Sequence, residues 1–369
     1  AAPQIHRMHL PSLLCLALLA CTGAADRAES TEPPDLADSA ERTAPADRSG
    51  TVDRAAADTA PGVAALEREF ARIEAESGGT MGIAVIHVET GRRASYNGTM
   101  RFPMQSVYKL PIAAALLKRV EEGKVDLDQE VAVRAADLRW GHSPVAERHP
   151  RGGGEYTVRE LMRLAVAESD NTASDLLLPL AGGPGGVTQF LWGFGLDSIL
   201  VSRPEGQLIL DFHGARPSPG ATARAATDSL IPTLPAAARD EGWRKYLADP
   251  RDTSTPGHMA RLLVLLRRGE LLSPQHTALL LRTMTETETG PNRLRGRLPA
   301  GTRVAHKTGT SASWRGTVAT VNDAGLIPLP NGRGHLAVAV FVKEAKNGLP
   351  TAEAAIARAA RAAYDHWAR

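Results

Sequence analysis

Cysteine is nearly missing from this 369-residue chain: Cys15 and Cys21 are the only two, and both fall within the first 21 residues. No disulfide framework can form beyond them, so packing must stabilise the rest of the chain. Histidines never recur at H-x-x-x-H spacing and none clusters with a cysteine, so neither a metal site nor any cofactor is expected. Aromatic residues are scarce, at 4%, and no basic run is interleaved with them. The stacking platforms and charged tracks of nucleic-acid binding are therefore missing. No apolar run reaches the roughly 20 residues that span a bilayer, and no internal repeat is present. The run Arg151-Gly152-Gly153-Gly154 lacks a following Lys-Ser or Lys-Thr, so it reads as a flexible loop and not as a phosphate cradle.

With 43% apolar and 23% charged residues, the chain has the make-up of an ordinary globular protein with a sizeable core. Length alone suggests two or three domains, though one large domain with appendages fits as well. Residues 10–20 are apolar, follow Arg7 and Met8, and are too few to cross a membrane, which marks the core of a signal peptide over residues 1–21. Leu18-Leu19-Ala20-Cys21 resembles a bacterial lipobox, so lipidation of Cys21 is expected, with ordinary cleavage near Ala24-Ala25 as the alternative. The implied location is the periplasm, with the membrane as a partner through the lipid. Residues 22–60 hold nine acidic residues, four arginines and almost no large apolar side chain, too little to offset the entropy of ordering, and are expected to be a tether. With −5 there and one positive charge at Arg7, the chain's net +2 leaves +6 on residues 61–369, a mild excess that attracts small anions.

Apolar residues at helical spacing over 62–75 predict a helix, and the strand-like MGIAVIHVE from Met81 ends at a turn, Thr90-Gly91. The middle reads as helical, with no strong strand. Thr157-Val158-Arg159-Glu160 is a capping box ahead of LMRLAVA, while Thr255-Pro256 and Ser273-Pro274 each pair an N-cap with proline at the first helical position. Strands return at 303–305, 317–322 and 336–342, before a closing helix over 351–368. Strands at both ends with helices between imply an α+β fold, its sheet assembled from the two chain ends around an inserted helical region, with a cleft between two lobes.

Three short motifs carry chemistry. Ser106-Val107-Tyr108-Lys109 opens an apolar helix, which puts serine and lysine one turn apart on one face, where a lysine of lowered pKa can serve the hydroxyl as a base. By itself S-x-x-K is weak, since about one chance copy is expected in a chain of this length. Ser169-Asp170-Asn171 after a helix and Lys307-Thr308-Gly309-Thr310 on a strand are rarer. Read singly, the first is a helix cap and the second an edge strand relieved by glycine. In this order, the three resemble the motif set of class A β-lactamases and the related penicillin-binding proteins. The resemblance covers nearly all of residues 61–369 and includes Phe102-Pro103-Met104, Ser143-Pro144-Val145 and Arg251-Asp252-Thr253. HKTGTS, with ATVNDAGLIPLPNG and VAVFVKE after it, looks like the PER and VEB branch of that class.

The resemblance implies a five-stranded antiparallel sheet built from both chain ends with flanking helices, in an α/β lobe of residues 61–105 and 299–369. It implies an all-helical lobe over 106–298, and a monomer that hydrolyses small-molecule β-lactams through an acyl-enzyme on Ser106. Lys109 would take part in proton transfer, Ser169 would relay a proton to the leaving nitrogen, and Asn171 would bind the substrate side chain. Lys307, Thr308 and Gly309 would form the strand that attracts the substrate carboxylate. The N–H groups of Ser106 and Thr310 would form an oxyanion hole, where fixed donors stabilise the transition state most.

Counted without gaps from Phe190-Leu191, the family's omega loop places its arginine at Arg203 and its water-activating glutamate at Glu205, with Arg203 paired to Asp252. Read without the family, Glu205 is a solvated loop carboxylate. The 46 residues between Glu205 and Asp252 are far more than the family usually has, leaving an insertion at about 207–250 whose path is open. Four positions after Glu205, where relatives commonly hold the hydrolytic water with a polar group, stands Ile209. Deacylation is therefore expected to limit turnover unless Asp211 or His213 substitutes. The cation that many members place after K-T-G is out of register here, at Arg315. Arg295 is expected to bind the carboxylate instead, with a plain surface charge as the alternative. His142, in the place of an aromatic residue, either stacks on substrate or is an exposed loop histidine. His306 should face away from Lys307, so a Ser-His-Asp triad is not supported. Without productive deacylation the scaffold would be a D-alanyl-D-alanine peptidase or a serine esterase; without catalysis, a lipoprotein that binds the cell wall. Glu205 argues against the first and the intact motifs against the second.

Overall fold

The computed structural model describes residues 61–216 and 223–369. The expected signal peptide, the tether and the lipidation site Cys21 lie outside them. The main helices are Pro61–Ser77 (α1), Lys109–Glu121 (α2), Val158–Ala167 (α3), Asn171–Leu180 (α4), Glu205–Phe212 (α5), Ala236–Ala248 (α6), Pro256–Arg268 (α7) and Gly348–Trp367 (α8).

Thr80–His87 (β1) is the expected first strand, and Arg93–Tyr96 (β2) pairs back on it to close a hairpin. Ala305–Thr310 (β3), Ser313–Trp314 (β4), Thr317–Pro328 (β5) and His335–Ala345 (β6) come from the other end of the chain. All pair antiparallel in the order β2-β1-β6-β5-β3, which is the expected five-stranded path, and the two-residue β4 adds a sixth strand against β5. Both faces of the sheet are covered. Met81, Ile83 and Val85 of β1 pack with Phe70 of α1 and Ile356 of α8, while Ala84 packs with the helices of the other lobe. That alternation follows from the two-residue period of a strand. Burial on both sides also explains the unbroken apolar run LAVAVFV in β6, all seven residues of which are buried.

The expected caps form. Thr157 and Glu160 complete their reciprocal box, and Thr255 and Ser273 accept from the N–H groups of His258 and His276. Two expectations need correction. The inserted lobe is not all-helical, because Glu130–Arg134 pairs with Gly152–Thr157 in a small antiparallel hairpin. The glycine run expected to be a loop thus starts a strand: pairing with EVAVR overrides weak strand propensity, and Gly152, at φ 78°, sits at the irregular end of that pairing. Strand β5 also runs six residues past Asn322. Asp323 and Gly325 look like turn residues, but the Asp323 carboxylate is buried against His306 Nδ1 at 2.9 Å. The inserted segment is largely helical, carrying α5, a helix at Arg224–Leu230, and α6.

Candidate active site

A 3-10 turn, Gln105–Tyr108, feeds into α2, so Ser106 stands just outside the helix and Lys109 begins it, fully buried. The turn is strained at Gln105, a non-glycine residue at φ 49°. Such a conformation costs about 1–3 kcal/mol and persists only when its surroundings hold it. They do so on two sides. The Gln105 Nε2 donates to the Tyr246 hydroxyl of α6 at 2.5 Å. Across from it the backbone of β3 passes so close that a Cβ on Gly309 would lie 2.5 Å from Met104 O and 3.1 Å from Ser106 N. Only glycine fits there.

The Lys109 Nζ donates to Ser169 O at 2.8 Å and to Asn171 Oδ1 at 2.7 Å, and pairs with Glu205 Oε1 at 3.1 Å. The Ser169-Asp170-Asn171 triplet reaches it because Ser169 takes a left-handed φ of 63° after α3, while Asp170 caps α4 through Ala173 N at 2.8 Å. Asn171 also donates to Trp140 O at 3.0 Å, so both ends of its amide are engaged. On the sheet side, the Lys307 Nζ donates to Ser169 Oγ at 2.8 Å. Burial, and then the neighbouring Lys109 ammonium, push the Lys307 amine well below the usual lysine range. His306, next in sequence, faces the other way onto Asp323, as strand alternation requires.

Glu205 opens α5 and is almost fully buried; its Oε1 also lies 3.5 Å from Ser106 Oγ. Asp175, one turn along α4 from Asn171, accepts from the N–H of Glu205 at 2.6 Å and of Gly206 at 3.1 Å. These are first-turn donors with no partner inside their own helix. The base of the segment is pinned as expected, with Arg203 Nε donating to Asp252 Oδ2 at 2.6 Å. The same guanidinium reaches Asp211 at 2.5 Å and Asp249 at 3.0 Å. Asp211 is therefore turned away from the cleft, and the alternatives around Ile209 narrow to His213. That imidazole lines the cleft with its ring 5.4 Å from Trp140. Burial, helped by the charge of Arg239, lowers it to about 4, so it is neutral at pH 7.

The far end of the cleft corrects one assignment. The guanidinium that reaches β3 is that of Arg293, not Arg295: it donates to Thr310 Oγ1 at 2.6 Å, Gly309 O at 3.1 Å and Asn322 O at 2.9 Å. Glu353 balances its charge at 3.1 Å. Two residues along a tight turn face different directions, so Arg295, half-exposed, does not share that position. Arg315 pairs with Asp240, and Thr308 Oγ1 meets Thr289 Oγ1 at 2.5 Å. His142 is exposed at the rim and bonds Glu168 O at 2.8 Å. Between these groups lies a cleft of about 250 Å³ in which Ser106, Asn171, Glu205, Thr310, His142 and His213 meet. Sequence reasoning missed Gln105, Asp175, Tyr246 and Arg293. Of these only Asp175 left a signal, four residues after Asn171 on the same helix face.

The family model described as the beta-lactamase enzyme family matches residues 65–367. The chain is 37% identical over 286 residues to the extended-spectrum beta-lactamase PER-1 of Pseudomonas aeruginosa, covering 77% of this chain and 82% of that protein. It is 31% identical over 292 residues to beta-lactamase VEB-1 of the same organism, covering 78% and 85%. A solved beta-lactamase structure from Chitinophaga pinensis matches with a TM-score of 0.68 at 34% identity, covering 82% of this chain and 98% of that one.

Proposed function

The chain belongs to the beta-lactamase enzyme family, as a class A serine β-lactamase close to the PER and VEB enzymes that hydrolyses β-lactam antibiotics, and on that premise we propose that Ser106 is its nucleophile and Glu205 its deacylating base. Ser106 Oγ attacks the lactam carbonyl while its proton passes to the coupled Lys109 and Glu205. The C–N bond breaks, and that proton passes on through Ser169, held by Lys307, to the leaving nitrogen, which leaves Glu205 free to act again as a base. The carbonyl oxygen lies between the N–H groups of Ser106 and Thr310, and the substrate carboxylate meets Lys307, Thr308 and the hydroxyl of Thr310 that Arg293 orients. Asn171 and the rim at His142 face the substrate side chain. Glu205 then takes a proton from a water that attacks the ester, with His213 as the nearby polar group in place of the one absent at Ile209.

The observation that carries this reading is the placement of one buried carboxylate 3.1 Å from Lys109 Nζ and 3.5 Å from Ser106 Oγ. A base held there serves the ester formed on Ser106, which is what sustained hydrolysis requires and a transpeptidase lacks. Mass spectrometry after mixing with a penicillin tests it. Ser106→Ala is expected to form no adduct, and Glu205→Ala to accumulate one acyl group per enzyme after a burst. An adduct on Ser106→Ala, or wild-type turnover by Glu205→Ala, overturns the assignment. We further propose that the enzyme acts as a monomer, since every group named above comes from one chain, and that lipidated Cys21 holds it to the membrane facing the periplasm.

A further inference from the structure

Helix α6, carried by the long segment between Glu205 and Asp252, meets three parts of the cleft through one stripe of side chains, Asp240, Trp243, Tyr246 and Leu247, at helical spacing. Asp240 accepts from Trp314 Nε1 at 2.7 Å and takes both arms of Arg315 at 2.8 and 2.7 Å. Trp243 and Tyr246 set their rings edge-on to Phe212 of α5, at 5.8 and 5.1 Å. A Cβ on Gly242 would lie 2.2 Å from Gly214 N, so two glycines let α6 close onto the end of α5. Innermost, the buried Tyr246 hydroxyl accepts from Gln105.

We propose that Tyr246 is a positioning residue for acylation, holding the Ser106 N–H in line with the developing oxyanion by way of Gln105. The proposal rests on Ser106 being the nucleophile. Its N–H belongs to the peptide unit that the ψ angle of Gln105 orients, and Gln105 is held in the left-handed region between Gly309 and Tyr246. Without the Tyr246 hydroxyl, Gln105 loses one of its two restraints. Relaxation toward the right-handed basin then turns the peptide and swings the N–H off its line. The long insertion is thus a strut that ties the helix bearing Glu205 to the turn bearing Ser106, and Tyr246 is where it touches that turn.

The test is stopped-flow acylation of the full chain by a penicillin. Tyr246→Phe, which removes only the hydroxyl, is expected to lower the acylation rate constant about tenfold, a fraction of what losing an oxyanion donor outright costs. Affinity of the preceding encounter complex should not change. Gln105→Leu, at the other end of the bond, should lose the same factor, and the double variant should lose no more than either single one. A boronic acid that sets an oxygen in the oxyanion hole should lose affinity in parallel, which a packing defect elsewhere in α6 would not produce. Acylation at the wild-type rate by Tyr246→Phe, or a double variant whose loss is the product of the single losses, overturns the proposal. If Tyr246→Phe does not fold, Gln105→Leu decides, and unchanged boronate affinity there overturns it. Ser106→Ala separates the two levels: an adduct on that variant removes the underlying reading, whereas no adduct there with full-rate acylation by Tyr246→Phe removes this proposal alone.

Discussion

Lys307 and Arg293 bring two different kinds of positive charge to the same strand. Arg293 is spent on the protein, tying Gly309 O, Asn322 O and Thr310 Oγ1 together. Lys307 is buried beside Lys109, and both effects disfavour its ammonium. A lysine whose pKa is lowered in the folded state loses its proton early as pH rises. The attraction it offers a substrate carboxylate is then fully present at low pH and disappears below the usual value of 10.5. The kcat/KM of a penicillin should accordingly show an alkaline limb below that value, carried by KM, and Lys307→Arg should move that limb upward whatever it costs in absolute rate. A limb that stays in place in Lys307→Arg assigns it to another group. The sequence pointed to Arg295, two positions along the same turn, where no periodicity tells which side chain points inward; it is Arg293 that packs under β3.

Helix α5 is held from both ends of its own loop. Arg203 pairs with Asp252, Asp211 and Asp249 at once, and Asp175 caps the first turn from α4. Arg251 also holds Asp211 and Asp249, so Arg203→Ala strips the cation from the buried Asp252. Breaking a buried pair this way costs about 3–5 kcal/mol, to be read from the urea midpoint. Deacylation should slow more than acylation, because Glu205 rides directly on α5, whereas the turn bearing Ser106 keeps its close contact with Gly309 of β3. The opposite ordering in a burst experiment would count against α5 as the carrier of the base. The Arg203 to Asp252 pin and the order of the three motifs were legible in the sequence because each is a local pattern with a known partner. The grip of α6 was not. Tyr246 and Gln105 stand 141 positions apart, and nothing around either marks it as half of a pair. The hairpin at Glu130–Arg134 was hidden for another reason, since its second strand begins with three glycines and owes its form to its partner.

Across the whole molecule, the chemistry falls after about residue 60. Every residue placed at the cleft, both large apolar cores on the two faces of the sheet, and the family match over 65–367 fall within 61–369. The first 60 residues hold the lipobox-like Leu18-Leu19-Ala20-Cys21 and a net −5 in residues 22–60, against +6 on the remainder. That acidic charge opposes an anionic substrate, but at physiological salt the Debye length is about 8 Å, and charges further from the cleft are screened. A chain beginning at residue 61 should therefore keep the wild-type kcat, kcat/KM at 0.15 M salt and thermal midpoint, measured with a chromogenic cephalosporin and by calorimetry. In the same cells it should not be found with the membrane, and Cys21→Ser in the full chain should release the enzyme in the same way while leaving residues 22–60 in place. The two variants separate the causes. Release by Cys21→Ser assigns the anchor to the lipid, and retention of that variant with release of the shortened chain assigns it to the apolar segment at 10–20. A fall in kcat for the shortened chain alone would show that residues 1–60 also act on the cleft.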